Sequence, residues 1–274
     1  LRGADSTGDA TDEQADTQAP SARTLLATLT SEGMAAFEAA LGEVLAEGVD
    51  RDLEVDIALP SGAWRRALMS VRALFRPGGE VGGAITCVLD VTDSARARQE
   101  LEVRATFDAL TQCYNRSSIL GAVQQELECR DTSTAGVIYV DLDNFKPVND
   151  SLGHAAGDEL LTLVAERLKI ASRGNDVVGR LGGDEFLVLL REIPGADIAM
   201  RVAKRIGESL CKPFELSSGT IKLGASIGVA CADAEPLTAE DLVKRADSAM
   251  YQSKADGNCL PVLAQALPTT RPRN

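Results

Sequence analysis

The stretch "GRLGGDEFLVLL" (residues 179–190) constrains this chain more than any other, because two apolar runs flank a pair of glycines and a pair of acids. Runs this apolar read as two buried strands, and Gly182 and Gly183 allow the positive φ of a tight hairpin between them and let backbone approach a ligand closely. The carboxylates of Asp184 and Glu185 are then partly desolvated and need partners. A second strand-like run, "AGVIYVDLD" (135–143), also ends in acids, Asp141 and Asp143. Side chains alternate along a strand, so Asp141 and Asp143 share a side while Leu142 points away, leaving its carbonyl available to a metal.

Oxygen ligands from two neighbouring strands suit Mg²⁺, a hard ion that completes its shell with water and phosphate. With two ions, one can lower the pKa of an attacking hydroxyl while the other steadies a leaving pyrophosphate. For a single acidic cluster, strand capping or pairing with Arg180 and Lys146 is the better account. Two clusters in this arrangement favour the metal.

The rest of the composition narrows the class. Hydrophobic residues make up 45% of the 274, enough for a real core, and no run of eighteen apolar residues appears. A formal charge of −13 argues against a nucleic-acid binder, which presents a basic face to phosphates. The six cysteines are scattered without a C-x-x-C pair and read as reduced cytosolic thiols. With His154 the only histidine, a Ser-His-Asp triad or a multi-histidine metal site is not expected. The chain begins at Leu1 without a signal-peptide pattern, so a cytoplasmic fragment is expected, with any upstream membrane anchor outside it.

Residues 1–24 are acidic and small, and are expected to be disordered, as is the tail 265–274. "SEGMAAFEAALGEVLAEG" (31–48) predicts a helix capped by Ser31, with Met34, Phe37, Leu41 and Leu45 on its inner face. "LEVDIAL", "WRRALMSVRALF" and "GGAITCVLDVT" predict an antiparallel meander, with Ala67, Met69, Val71, Ala73 and Phe75 on one side of its middle strand. "DSARARQELEVRATFDALT" (93–111) reads as a helical connector with Leu101, Ala105 and Leu110 as a short seam. From Asp108 onward helices and strands alternate: a helix at 116–128, the strand ending in Asp141, a loop over 144–158, a helix over 159–171, and the acidic hairpin. A helix at about 196–212, a strand over 222–231, a helix over 239–255 and a short strand near 259–264 follow. This pattern predicts an α/β or α+β layer around a mixed sheet.

In order and spacing, "RLGGDEF", "DLDNFKPVND", "GHAAGD", "ASIGVA" and "RADSAMYQSK" resemble the GGDEF domain of diguanylate cyclases over about residues 106–264. The resemblance implies a fold like nucleotidyl cyclases and polymerase palms, and condensation of two GTP into cyclic di-GMP with release of pyrophosphate. It implies Mg²⁺ or Mn²⁺, two per site, held by Asp141, Asp184 and the Leu142 carbonyl. Glu185 is implied as a metal ligand or as an aid to deprotonating the ribose 3′-hydroxyl. Asn149 and Asp158 would read the guanine edge, Lys146 and Lys254 would contact phosphates, Phe145 would pack near the site, and Gly182 and Gly183 would approach GTP. His154 matches the loop's "GH" as a structural residue. Arg173 and Asp176 match an R-x-x-D that binds product as an inhibitor. Each such domain binds one GTP, so a homodimer is implied.

Residues 25–92 resemble, more loosely, the C-terminal half of a PAS sensor domain, with 93–107 as a helical signalling linker to a cyclase domain over 108–264. Two departures stand out. "DALTQCYNR" has Gln112, Cys113 and Tyr114 where the family has a glycine-containing turn, so a different local backbone is expected. Asn258 stands where a phosphate-binding arginine is usual, which implies weaker activity rather than none. The alternative reading is a catalytically weak or inactive domain that binds cyclic di-GMP or GTP as a signalling receptor.

Overall fold

The computed structural model describes residues 28–59, 61–129, 134–232, 237–256 and 260–265. The acidic stretch 1–24, residues 266–274 and Asn258 lie outside them. The chain divides into two compact units, Leu1–Gln99 and Glu100–Asn274.

In the first unit, helix α1 (Ser31–Glu47) packs on the antiparallel meander β1 (Arg51–Ala58), β2 (Trp64–Phe75) and β3 (Val81–Asp90). The cap of α1 is Thr30, one residue earlier than expected: its side chain accepts from Gly33 N at 2.9 Å. Val44, rather than Leu45, is the buried residue of its last turn; Leu45 is 45% exposed. Ala67, Met69 and Val71 face the core as predicted, Ala73 is half-buried, and Phe75 at the strand's end is exposed.

Helix α2 (Thr92–Thr106) is shorter than its lack of Gly and Pro suggests. The chain leaves it for a turn in which Asp108 accepts from the Thr111 amide and hydroxyl. Leu110 therefore packs against the second unit's core rather than continuing a seam with Leu101, which is exposed.

The second unit is built on a mixed five-stranded sheet in the order β10-β9-β4-β6-β5, antiparallel except for the β10–β9 pair. Its strands are β4 (Thr134–Leu142), β5 (Val177–Gly182), β6 (Glu185–Ile193), β9 (Ala225–Cys231) and β10 (Val262–Leu263). Helices cover both faces, which is why β4 and β6 read as almost continuous apolar runs. Ile138, Val140, Leu142, Phe186, Val188, Ile227 and Val229 pack with α5 (His154–Ala171) and α6 (Ala196–Leu210). Val137, Tyr139, Leu187, Leu189 and Ala230 pack with α3 (Arg116–Glu128) and α7 (Ala239–Asp256). At Gly228 the backbone of α7 touches the sheet: a Cβ there would lie 2.0 Å from Ala246 O. That contact fixes the height of α7 and so of its last turn.

The segment 144–158, expected as a loop, is helical. Helix α4 (Phe145–Leu152) and the first turn of α5 are separated by Gly153 at φ 85°. Pro147 sits in the first turn of α4, where the amide it lacks has no helical partner. A small hairpin, β7 (Phe214–Leu216) with β8 (Gly219–Ile221), was too short to be legible.

Candidate functional site

The register of the central strands gathers the acids. Asp141 near the end of β4 faces Glu185, the first residue of β6, on one side and Ser226 of β9 on the other. Opposed residues of an antiparallel pair share a face. Asp141, Glu185 and Ser226 thus extend the face that carries Tyr139 and Leu187 below them. Asp184 sits in the hairpin turn beside them, and its carbonyl accepts from Leu142 N at 3.3 Å. Asp143, just past β4, stays on the same side: Ser226 Oγ donates to Asp143 Oδ1 at 2.7 Å. The Leu142 side chain points into the opposite core, as strand alternation requires.

Lys254, in the last turn of α7, donates to Asp141 Oδ1 at 2.6 Å. Its neighbour Ser253 anchors that turn, donating to Leu260 O at 2.7 Å and accepting from Ile227 N at 3.3 Å. The ammonium is held above the ordinary lysine value chiefly by its hydrogen bond to Asp141, with Asp143 and Asp184 adding to the effect. Burial, and then the Asp141 carboxylate, push the Asp184 carboxyl up. Burial also raises the Tyr139 phenol, which is further held protonated by the Glu185 carboxylate it hydrogen-bonds.

The glycine turn needs its glycines. Gly182 has φ 148° and Gly183 φ 53°, conformations that side chains resist. Arg180 locks the turn: its Nε and Nη2 donate to Gly183 O at 3.0 and 2.8 Å while Nη1 donates to Asp108 at 3.1 Å. Arg180 is therefore taken up by the turn and by Asp108, not by the acids of its own hairpin. Burial would raise the Asp108 carboxyl, but hydrogen bonds from Thr111 and Arg180 outweigh it and hold it below its ordinary value.

A second corner lies where α4 meets α5. Phe145 is buried, and Asn149 leans over Gly157, where a Cβ would lie 1.9 Å from Asn149 Oδ1 and 3.3 Å from Phe145 Cζ. Asp158 follows Gly157 and is exposed, as are Lys146 and His154. Asn144, at φ 60°, turns the chain from β4 into α4 and so joins this corner to the acids.

Arg173 and Asp176 stand apart, in the turn that precedes β5, at the opposite end of that strand from Gly182. Six residues of strand separate them from the hairpin turn, roughly 20 Å. The Asp176 carboxylate accepts from Arg173 N at 2.7 Å, and the Arg173 side chain is exposed.

The turn over 108–113 contains one left-handed residue. Gln112 adopts φ 52°, a conformation natural to glycine, and its N–H donates to Asp108 O at 2.9 Å. A hydrogen bond to Asp108 thus accompanies a positive φ at a glutamine.

Ser226, Tyr139, Gly157 and Asp108 were not singled out from the sequence, and Arg180 was weighed only as a partner of the acids. Ser226 and Gly157 lie within "ASIGVA" and "GHAAGD", and the glycine directly before Asp158 was the signal available for a close helix contact.

Comparison with known proteins agrees with this architecture. The family described as "Diguanylate cyclase, GGDEF domain" matches residues 105–259, and a PAS fold matches 10–96. A relative, the bifunctional diguanylate cyclase/cyclic di-GMP phosphodiesterase MucR of Pseudomonas aeruginosa, is 39% identical over 176 residues, covering 64% of this chain and 25% of its own. The cyclic di-GMP phosphodiesterase NbdA of the same organism is 37% identical, covering 63% of this chain and 22% of its own. This chain spans about a quarter of the length of such curated relatives. A solved structure comprising only the GGDEF domain of TpbB from Pseudomonas aeruginosa is 38% identical with a TM-score of 0.55, covering 58% of this chain and 94% of that one. The match spans more than half of the sequence, and the chain belongs to the GGDEF family, its GGDEF domain preceded by a PAS fold.

Proposed function

We propose that the second unit is a diguanylate cyclase, condensing two GTP into cyclic di-GMP and two pyrophosphates across a homodimer. The observation that carries this reading is the facing of Asp141 and Glu185 across β4–β6, with Asp184 in the turn beside them and a cation, Lys254, already at Asp141. The donors suit the metal: carboxylate oxygens and the Leu142 carbonyl are hard ligands matched to Mg²⁺ or Mn²⁺, and the lysine ammonium at Asp141 marks where positive charge is stabilised. Bound there, the metal would activate the ribose 3′-hydroxyl and steady the pyrophosphate.

The chain's own residues divide the remaining work. Asn149 and Asp158 present an amide and a carboxylate to guanine, whose N–H groups a carboxylate accepts well. Lys146 and Lys254 take the phosphates, Phe145 supports the guanine corner, and the Gly182–Gly183 backbone approaches the nucleotide. Glu185 assists at the metal or the 3′-hydroxyl. Arg173, exposed, and Asp176, half-buried, lie remote from the acids and suit an inhibitory product site rather than a catalytic one. Each domain holds one nucleotide, so two domains must meet face to face. No helix among the described residues is long and apolar enough to cross a membrane.

A second reading, a receptor that binds cyclic di-GMP or GTP without turnover, is favoured by Asn258 in place of the usual arginine. Titration calorimetry with GTP and with cyclic di-GMP, set beside chromatography of a GTP and Mg²⁺ incubation, separates the two. Binding of both nucleotides without product would support the receptor, and product would support the enzyme.

A further inference from the structure

What stands among the acids is an ammonium. Lys254 Nζ lies 2.6 Å from Asp141 Oδ1, and the carboxylates of Asp143 and Asp184 act on the same charge. The two partners differ in freedom: the Asp141 side chain is 12% exposed and that of Lys254 49%. Asp141 is fixed between two strands, whereas lysine carries its charge on a flexible four-carbon stem. Ser253 pins the backbone beside it, so any movement belongs to the side chain.

We propose that Lys254 is the cation that pairs with Asp141 before metal binds, leaving it for a nucleotide phosphate when metal and nucleotide bind together. This rests on reading Asp141 and Asp184 as metal ligands. The exchange keeps every charge paired: Asp141 passes from ammonium to metal, and Lys254 from carboxylate to phosphate. A metal arriving alone must displace Lys254 without offering it a new partner, and so binds weakly. A nucleotide supplies that partner, so metal and nucleotide tighten each other by one common factor.

The test is Mn²⁺ binding, read from the electron paramagnetic resonance of the free ion, for the full chain with and without α,β-methylene GTP. Lys254→Met should tighten nucleotide-free Mn²⁺ binding about tenfold, the order expected for one charge-assisted hydrogen bond at a half-exposed site. The analogue should then tighten Mn²⁺ binding less in this variant than in the unmodified chain. Lys244→Met, on the exposed side of the same helix, controls for loss of one positive charge and should match the unmodified protein. Equal affinity in Lys254→Met and the unmodified chain, or the same gain in Lys244→Met, overturns the exchange. Asp141→Asn distinguishes the two levels of the account. If it abolishes Mn²⁺ binding with the analogue while Lys254→Met changes nothing, the metal reading stands and the exchange alone is rejected. If it binds Mn²⁺ as tightly as the unmodified chain, the metal reading itself fails.

Discussion

Asn149 occupies the space that a side chain at position 157 would fill: a Cβ on Gly157 would lie 1.9 Å from its Oδ1 and 2.9 Å from its Cγ. Gly157→Ala would therefore push aside the end of one side chain rather than a helix. The fold should survive with only a small change in melting temperature, while the guanine corner loses its arrangement. The expected kinetic result is a KM for GTP raised about tenfold, equivalent to ~1.4 kcal/mol, with a smaller change in kcat. An unchanged KM would show that Asn149 does not read the base.

Arg180 joins the start of the domain to the glycine turn through Asp108 and Gly183. Both side chains of the ion pair are largely buried, 14% and 25% exposed. Asp108→Ala leaves the guanidinium partly unpaired and should cost about 1–3 kcal/mol in denaturant unfolding. The Asp108 carboxyl is held below its ordinary 3.8, so its contribution is present above that pH and lost as pH falls through the lower folded value. The stability gap between the unmodified chain and the variant should be flat around neutral pH and close only in acid below about pH 4.

Gln112 holds a left-handed conformation at φ 52°. Such a conformation costs an ordinary residue about 1–2 kcal/mol, partly offset by the entropy that glycine loses on folding. Gln112→Gly should stabilise the second unit by about 0.5 kcal/mol, seen as a rise in its thermal midpoint, whereas Gln112→Val should lower it.

Much of the fold was legible because buried strands and amphipathic helices leave different periods. The meander, β4, the acidic hairpin and the helices α3 and α7 were read from apolar spacing alone, and the two acid clusters from charge placed at the ends of apolar runs. The errors have local causes. Pro147 and Gly153 hid α4, because a proline in the first helical turn looks like a proline in a loop. Thr30 took the cap from Ser31, which lies one residue inside the helix. The positive φ at Gln112 was not legible, since a sequence does not display the hydrogen bonds that accompany a strained backbone. Ser226 and Tyr139 could not be assigned because their partners, Asp143 and Glu185, are brought close only by strand register.

Asp184 should show opposed effects on stability and activity. Burial and Asp141 raise its carboxyl pKa, so its favourable contribution is complete below 3.8 and is lost as pH rises through the folded value. At neutral pH the ionised group is a liability in the metal-free protein. Asp184→Asn should then stabilise the metal-free protein slightly, by less than ~1 kcal/mol for a half-buried group, seen as a small rise in melting temperature that vanishes toward pH 4. The same variant should lose product formation by at least about 100-fold, on the scale of losing one transition-state electrostatic group.

The central claim is that this GGDEF domain turns over GTP, and the direct measurement is product yield from GTP and Mg²⁺ across a series of protein concentrations. The expected result is cyclic di-GMP with two pyrophosphates per molecule, a rate per chain that climbs with protein concentration as domains pair, and none from Asp184→Ala. Cyclic di-GMP absent at every concentration, from protein that binds GTP, would contradict it.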